Sequence, residues 1–345
     1  MPGIVGVRST EQSVGITVGA FEPNIYLNIR INNGLGQLNV RYSPHLTITA
    51  SRKEIIVDNI KTGLVMEGGA MRGLFTAGVI DVFMENDIEF DGAIGVSAGA
   101  AFGCNYKSHQ IGRVLRYNLR FCKDPRFCSF RSFFKTGDLY GGDFCYRQIP
   151  DELDLFDRET FKNSNVKFYM VCTDVNTGKP VYYQCTDGGE KDLKWMRASA
   201  SMPGFSKVIH TDGYDLLDGG ISDPVPLKYF QDIGYNRNVV ILTQPRGYVK
   251  KSKRVEPLIK LILRKYPEIA KSMIERPRIY NQCMKYITLQ EQTGDTLVIA
   301  PPYKLDIGKI EHNPEKIQTA YDIGRKTALE NLEKVKEFLA GVKKD

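Results

Sequence analysis

A glycine-flanked serine, Gly95-Val96-Ser97-Ala98-Gly99, joins an apolar run at residues 90–94 to a segment of small residues at 100–104. A strand that meets a helix through this G-x-S-x-G pattern must turn sharply, and the two glycines leave room for the turn. The serine hydroxyl is then exposed at the edge of a sheet, as acyl hydrolases present a nucleophile. The pentapeptide favours an α/β chain, but alone it is too short to establish an activity.

From residue 61 onward, alternating strand and helix patterns predict a largely parallel sheet covered by helices. Thr62–Met66 is typical of a buried strand, Gly73–Glu85 of a helix, and residues 90–95 of the next strand. Further short strands are predicted at residues 166–173, 181–184, 214–217 and 238–243. A last helix is predicted between an Asn313-Pro314 cap and Gly341. The fold class is therefore α/β.

Residues 1–60 have a different pattern. Residues 25–31 and 37–42 alternate apolar with polar side chains, and Asn32-Asn33-Gly34 between them predicts a hairpin. We interpret this N-terminal extension as an accessory β element or a poorly ordered arm. A second hypothesis is that translation starts at Val57 from a GTG codon, just ahead of the first core strand. An intact mass of the full 345-residue form from the native host would contradict it.

Composition and charge narrow the class of protein. The net charge of +7 favours anionic surfaces or substrates. The seven cysteines form no C-x-x-C pair and the four histidines do not cluster with them, so no zinc site is expected. Reduced thiols, no signal-peptide pattern and no apolar run of membrane length predict a cytoplasmic protein. Its oligomeric state is not predicted.

Two further motifs flank Ser97. Upstream, a predicted strand runs into Gly68-Gly69-Ala70-Met71-Arg72-Gly73 and then a helix. Such a turn offers free amides and the positive end of a helix dipole, which suits a phosphate or the oxyanion of an acyl transfer. Downstream, Asp218-Gly219-Gly220 puts a carboxylate at the end of an apolar strand. There it can act as a general base on the serine hydroxyl without a histidine.

The three blocks, in this order, resemble those of the patatin-like phospholipase family, and residues 198–203 resemble the family's helix before the aspartate block. The resemblance covers residues 61 to about 245, and the tail resembles a bacterial subgroup with a C-terminal extension. It implies three α/β/α layers around a mostly parallel central sheet. The implied parts are an N-terminal extension (1–60), a patatin-like phospholipase domain (61–245) and a helical C-terminal extension (246–345).

The resemblance also implies a serine-dependent lipid acyl hydrolase of the phospholipase A or lysophospholipase type. Ser97 would attack the ester carbonyl, and Asp218 would take its proton and return it to the leaving alcohol. Arg72 would fix the turn or lie near the substrate, and no metal or cofactor is implied. The implied site residues are Ser97 and Asp218 for catalysis, Gly68, Gly69, Ala70, Met71, Arg72 and Gly73 for the oxyanion hole, and Gly95, Gly99, Gly219 and Gly220 as motif glycines.

Ala70 departs from the family pattern, which usually has a third glycine at this position. If the position requires a positive φ, alanine is strained there by about 1 kcal/mol. Alanine keeps its N–H, so the turn can still donate to an oxyanion. Which amides contribute stays open.

Alternatives stay open at this point. One is a catalytically silent lipid-binding or regulatory protein on the same fold, which Ala70 favours. Another is an α/β-hydrolase-type esterase with a Ser97-Asp218-His312 triad, although Ser97 follows only the second core strand and no H-G-G-G block is present. Nucleotide binding at residues 68–73 is weaker still, because Ala70 breaks G-x-G-x-x-G. His210 is a further histidine candidate, whereas Asp174 is typical of a turn.

The segment from Lys250 to Arg278 is strongly basic and carries interleaved apolar residues. A basic amphipathic helix can lie on anionic lipid, which would place the protein at the inner membrane face. The favoured interpretation is instead a helix packed on the core with its lysines in water. No nucleic-acid binding is expected, because no stacking set or binding motif accompanies the charges.

Overall fold

The computed structural model describes residues 3–8, 13–18, 24–31, 34–41, 60–252 and 255–341. The chain divides into two compact units, Met1–Ile60 and Lys61–Asp345. In the first unit the structure gives two antiparallel hairpins: β1 (Gly3–Arg8) with β2 (Ser13–Val18), and β3 (Asn24–Ile31) with β4 (Gly34–Arg41). The second hairpin confirms the one predicted from the alternating pattern. The proposed start at Val57 lies outside the described residues.

The second unit is built around an eight-stranded sheet. Its strands are β5 (Thr62–Met66), β6 (Gly92–Val96), β7 (Lys167–Asp174), β8 (Pro180–Gln184), β9 (Ile209–Thr211), β10 (Tyr214–Asp218), β11 (Arg237–Ile241) and β12 (Thr296–Ile299). They lie in the order β12-β11-β5-β6-β7-β10-β9, with β8 also paired to β7. The five strands from β12 to β7 run parallel, which confirms the mostly parallel central sheet.

Helices cover both faces of this sheet. They are α1 (Gly73–Glu85), α2 (Ala98–Lys107), α3 (Arg113–Phe121), α4 (Phe130–Thr136), α5 (Arg158–Asn163), α6 (Glu190–Ser199), α7 (Leu227–Asp232), α8 (Glu256–Ile262), α9 (Pro267–Gln292) and α10 (Pro314–Ala340). Leu64 and Met66 of β5 pack with α1 and α10, while Val65 between them packs with α7 and α9. Alternate side chains of a strand point to opposite faces, so the apolar run in β5 serves two cores.

The C-terminal part contains a strand besides the helices of the extension that the sequence predicts. β12 joins the central sheet as a parallel edge strand beside β11. Its four residues are too few to show a distinct strand pattern. The last helix is confirmed: α10 begins at Pro314 after an Asn313 cap and ends before Gly341, whose φ is 78°. Of the helices that the structure describes, none is both long and apolar enough to cross a membrane.

Candidate active site

Ser97 occupies a strained turn between β6 and α2. Its φ and ψ are 56° and −121°, a backbone conformation that residues other than glycine rarely adopt. A Cβ at Gly95 would lie 2.3 Å from the carbonyl oxygen of Gly99, and one at Gly99 would lie 2.4 Å from that of Met66. The strand–helix junction therefore closes this tightly only with glycine at both motif positions.

A buried hydroxyl holds this turn in place. The backbone N–H of Ser97 donates to Ser199 Oγ at 3.0 Å, and the Ser199 hydroxyl donates to the carbonyl oxygen of Val171 at 2.6 Å. Ser199 lies at the end of α6 and is fully buried. It therefore links the serine turn to β7, a positioning role that the sequence does not indicate.

The Ser97 hydroxyl lies directly against the Asp218 carboxylate. Ser97 Oγ donates to Asp218 Oδ2 at 2.7 Å, and the Gly220 N–H donates to Asp218 Oδ1, also at 2.7 Å. Asp218 is buried, and this burial raises the pKa of its carboxyl above the usual aspartate value. The Ser97 hydroxyl and the nearby Arg276 guanidinium offset part of that rise.

The backbone at the end of β10 is fixed by its neighbours. The N–H of Asp218 donates to the carbonyl oxygen of Ser201 at 2.8 Å, and Thr173 Oγ1 donates to the carbonyl of Asp218 at 2.9 Å. The expectation that residues 198–203 form a helix is therefore only partly right. α6 ends at Ser199, and the chain turns at Ser201 to receive β10.

The glycine-rich turn at residues 68–73 packs against the serine turn. A Cβ at Gly68 would lie 2.8 Å from the carbonyl oxygen of Val96 and 3.0 Å from Ser97 Cβ, so the two turns are in contact. Ala70–Arg72 form one 3₁₀ turn that leads directly into α1. The first amides of such a turn have no acceptor within it, so they are available to a ligand.

Ala70 adopts the conformation that the family pattern reserves for glycine. Its φ is 49°, in the left-handed region. The strain anticipated from the sequence therefore applies, at about 1 kcal/mol.

Comparisons with known proteins identify a family domain in the part of the chain that carries Ser97 and Asp218. Residues 64–230 match the family model for patatin-like phospholipase, and residues 266–340 match a domain of unknown function, DUF6363. The chain contains a patatin-like phospholipase domain at residues 64–230. The match includes Ser97, Asp218 and the turn at residues 68–73.

The relatives of this patatin-like protein are matched over part of their length. YjjU, an uncharacterized protein of Escherichia coli K12, is 34% identical over 195 residues, which are 54% of this chain and 52% of YjjU. Lysophospholipase nte1 of Aspergillus oryzae is 26% identical over 182 residues, covering 50% of this chain and 11% of nte1. The match thus spans about half of the length of YjjU and 11% of the length of nte1. The crystal structure of VipD from Legionella pneumophila aligns with a TM-score of 0.41 at 11% identity, covering 92% of this chain and 71% of VipD.

A buried carboxylate, Glu67, immediately precedes the glycine-rich turn and connects it to two distant segments of the chain. Its Oε2 accepts from the N–H of Thr243 at 2.6 Å, and its Oε1 accepts from the Tyr280 hydroxyl at 3.0 Å. Burial raises the pKa of Glu67, and the charge of Arg72 offsets part of the rise. These partners lie 176 and 213 residues away in sequence, so no local pattern could have revealed them.

Two cavities meet at Ser97 in the patatin-like unit. The larger, of about 260 Å³, is mostly apolar and runs between α2, α3, α6 and the π-helical segment Phe144–Leu153. Its apolar lining includes Phe102, Tyr117, Leu139, Ile149, Phe156 and Met196. The smaller, of about 150 Å³, is more polar, with about half of its lining polar, and lies on the side of the glycine-rich turn and Asp218. Ala70 and Ser97 line both cavities.

The histidine candidates lie elsewhere. His312 Nδ1 donates to the carbonyl oxygen of Cys122 at 2.5 Å, and His210 pairs with Asp215. Neither histidine lines the two cavities, so the structure does not assemble the Ser97-Asp218-His312 alternative. Within the described part of the chain, no group of three or more His, Cys, Asp or Glu residues could hold a metal ion.

Asp174 forms a turn, as its sequence context indicates. It accepts from the N–H of Asn176 and from the Thr177 hydroxyl in the connection between β7 and β8. Its carboxylate is therefore committed to the hairpin.

Proposed function

We propose that this protein hydrolyses lipid acyl esters, with Ser97 as the nucleophile and Asp218 as the general base. The observation that carries the proposal is the 2.7 Å hydrogen bond from Ser97 Oγ to Asp218 Oδ2. A nucleophile and base within hydrogen-bond reach are the signature of an activated serine. A reaction of the phospholipase A or lysophospholipase type agrees with the family and with the name of the nte1 relative.

The chemistry follows from this contact. As Ser97 Oγ bonds to the ester carbonyl carbon, Asp218 Oδ2 takes the hydroxyl proton and a tetrahedral oxyanion forms. The amides of the turn at residues 68–73 stabilise that oxyanion, and each such donor contributes about 10²–10³ in turnover. Collapse breaks the bond to the alcohol, which leaves with the proton from Asp218. An acyl-serine remains.

The second half of the cycle repeats these steps with water. Asp218 takes a proton from the water as the water oxygen bonds to the acyl carbon. The new oxyanion collapses, the bond to Ser97 Oγ breaks, and the proton returns to that oxygen. The products are a carboxylic acid and the free serine. The apolar cavity beside Ser97 suits the acyl chain.

Turnover of a short-chain p-nitrophenyl ester tests this proposal. We expect wild type to be active, Ser97→Ala to lose at least a thousandfold, and a chelator to have no effect. His312→Ala is the matched control, because His312 contacts the Cys122 carbonyl and should stay within a fewfold of wild type. Activity that survives in Ser97→Ala would contradict the nucleophile. A folded, inactive wild type would favour a silent lipid-binding protein.

The membrane contact belongs to the same proposal and depends on the basic segment from Lys250 to Arg278. The structure divides this segment: α9 buries side chains such as Ile269 and Tyr280, as the packed interpretation predicts, whereas α8 buries none. Leu258, Leu261 and Ile262 are more than half exposed, at 54%, 64% and 58%. Lys253 and Arg254 lie outside the described residues.

The exposed face of α8 lies near the apolar cavity. A Cβ at Gly204 would lie 3.5 Å from Ile262, and the adjacent Phe205 is half exposed and lines the cavity. The ring of Phe205 lies 6.4 Å from that of Phe133 on α4, whose neighbour Phe134 is 83% exposed. Apolar side chains with basic neighbours at a cavity mouth suit an anionic lipid surface.

Vesicle co-sedimentation tests this contact. We expect binding to vesicles of phosphatidylglycerol but not of phosphatidylcholine, and a loss of at least tenfold for Leu258→Ser combined with Leu261→Ser. Leu329→Ser is the matched control, since Leu329 is equally exposed on α10. Equal binding by all three proteins would contradict the contact.

A further inference from the structure

The helix α9 contacts the catalytic site from outside the patatin-like match. Arg276 and Tyr280 are four residues apart on α9, so their side chains lie on the same face of the helix. Both belong to residues 266–340, which match the domain of unknown function, whereas Ser97 and Asp218 belong to the match at residues 64–230. Each of the two α9 side chains contacts a different block of the site.

Arg276 contacts the block that holds the proposed general base. Its Nε donates to the carbonyl oxygen of Gly220 at 2.6 Å, and the N–H of Gly220 donates to Asp218 Oδ1 at 2.7 Å. A Cβ at Gly220 would lie 3.0 Å from Asp218 Oδ1 and 3.4 Å from Arg276 Nη2, so both side chains come close to this glycine. The hydrogen bond from Arg276 therefore restrains the residue that orients the Asp218 carboxylate.

The charge of Arg276 also acts on Asp218. Burial raises the pKa of the Asp218 carboxyl, while the Ser97 hydroxyl and then the Arg276 guanidinium lower it. A general base must be ionised to take a proton, so Arg276 extends the working range of Asp218 to lower pH. The other titratable or charged groups near Asp218 are those of Glu67, Arg72, Tyr146, Cys172, Lys250 and Lys309. Arg276 lowers the pKa of Asp218 more than Lys309 does.

Tyr280 reaches the glycine-rich turn through Glu67. The Tyr280 hydroxyl donates to Glu67 Oε1 at 3.0 Å, and the other oxygen of this buried carboxylate accepts from the N–H of Thr243 at 2.6 Å. Thr243 Oγ1 in turn donates to the carbonyl oxygen of Gly68 at 3.2 Å. The Tyr280 hydroxyl therefore belongs to a series of hydrogen bonds that ends on the first residue of the turn.

We propose that Arg276 and Tyr280 are positioning residues for the reaction, and that the domain of unknown function thereby completes the catalytic site of the patatin-like domain. The proposal rests on the proposed function, since it concerns the same nucleophile and base. Arg276 holds the base in its orientation and its charged state, while Tyr280 holds the turn whose amides face the oxyanion. Both must be in place, because a displacement of about 1 Å can cost about 10²-fold in rate.

The pH dependence of kcat/KM on a neutral p-nitrophenyl ester tests the role of Arg276. In Arg276→Gln we expect the acidic inflection, which reports the ionisation of Asp218, to move up by about 1 pH unit. Arg276→Lys keeps the charge, so its inflection should stay close to that of wild type. Arg278→Gln is the matched control, because it removes the same charge from α9 at a side chain that is 62% exposed and does not line the smaller cavity.

Tyr280→Phe tests the second contact. This variant keeps the ring that packs against Tyr248 and removes the hydroxyl that donates to Glu67. We expect kcat on the same ester to fall about tenfold, with KM and the acidic inflection close to those of wild type. The variant also keeps the test valid if Arg276→Gln fails to fold.

NMR of the ¹³C-labelled Asp218 carboxyl, assigned with Asp218→Asn, measures the same pKa without turnover. A rise in Arg276→Gln but not in Arg278→Gln would support the coupling of Arg276 to Asp218, even if wild type cleaved no ester, which would contradict only the proposed function. An unmoved pKa in Arg276→Gln, an equal rise in Arg276→Lys or Arg278→Gln, or full activity in Tyr280→Phe would overturn the proposal.

Discussion

The two cavities that meet at Ser97 have different origins. The apolar cavity is lined almost wholly by residues before 207, inside the patatin-like match, with Lys309 and Ile310 as its later members. The polar cavity takes Tyr248, Lys250, Arg276 and Tyr280 from the C-terminal part. The patatin-like domain therefore lines most of the apolar cavity, while the C-terminal part contributes several side chains to the other one.

The substitution with the largest expected effect removes the proposed general base, so it should affect every ester substrate. In Asp218→Asn the amide cannot accept the Ser97 proton, so kcat/KM should fall at least a thousandfold on every ester. Burial raises the pKa of Asp218, so at neutral pH its ionised form lowers the free energy of unfolding. The variant should therefore keep or raise Tm, measured by calorimetry. Activity within tenfold of wild type would contradict the base.

A pH series on two esters separates the titration of Asp218 from that of Lys250. On a neutral ester, kcat/KM should fall tenfold per pH unit below the pKa of Asp218, with an inflection above the usual aspartate value of about 3.9. Lys250 lines the smaller cavity, so on the anionic lysophosphatidylglycerol kcat/KM should also fall as pH rises through about 7, where Lys250 loses its proton.

The groups that face Lys250 explain that second inflection. They are Glu67, Arg72, Arg276 and Lys309. The diester phosphate stays singly charged through this range, so the lysine is the group that titrates. Identical pH profiles for the neutral and the anionic ester would contradict an effect of the Lys250 charge on an anionic substrate.

A substitution in the apolar cavity should alter chain-length preference alone. Ala101 lies on α2 one turn beyond Ser97 and lines only this cavity. In Ala101→Phe the ring should obstruct the acyl chain and reduce kcat/KM for a palmitoyl p-nitrophenyl ester about tenfold relative to the butyryl ester. Ala101→Ser is the size-matched control. Equal losses on both esters would show that the chain lies elsewhere.

The smallest expected effect concerns Ala70, which lines both cavities. Ala70→Gly removes about 1 kcal/mol of left-handed strain but adds about 0.5–1 kcal/mol of chain entropy cost. We expect the free energy of unfolding, from urea titration, to change by less than about 1 kcal/mol, and esterase activity to stay within threefold of wild type. A much more active variant would mean that Ala70 impairs the oxyanion turn.

The sequence predicted the parts of the site that have local patterns. β5 and α1 have the predicted bounds, because a buried strand, a glycine-rich turn and an apolar helix follow one another without a break. The nearby strand ends shifted by one or two residues: the strand predicted at 90–95 is Gly92–Val96. The positive φ of Ala70 was anticipated because one missing glycine in a known motif has a specific steric meaning.

The parts that the sequence did not predict depend on distant residues. Glu67, Ser199 and Arg276 each have at least one hydrogen-bond partner more than fifty residues away in the sequence. The basic segment was recognised as one unit, but its two helices differ in burial, and only tertiary packing decides which is exposed. The second cavity also depends on distant packing, because α9 contributes Arg276 and Tyr280 to a lining that includes the glycine-rich turn.

Labelling with a fluorophosphonate, mapped by mass spectrometry, tests most directly whether Asp218 activates Ser97. The account predicts one adduct, on Ser97, in folded wild type and in His312→Ala, and a strongly reduced adduct in Asp218→Asn. No adduct in folded wild type, or an adduct on another residue, would contradict it. So would labelling of Asp218→Asn at the rate of wild type.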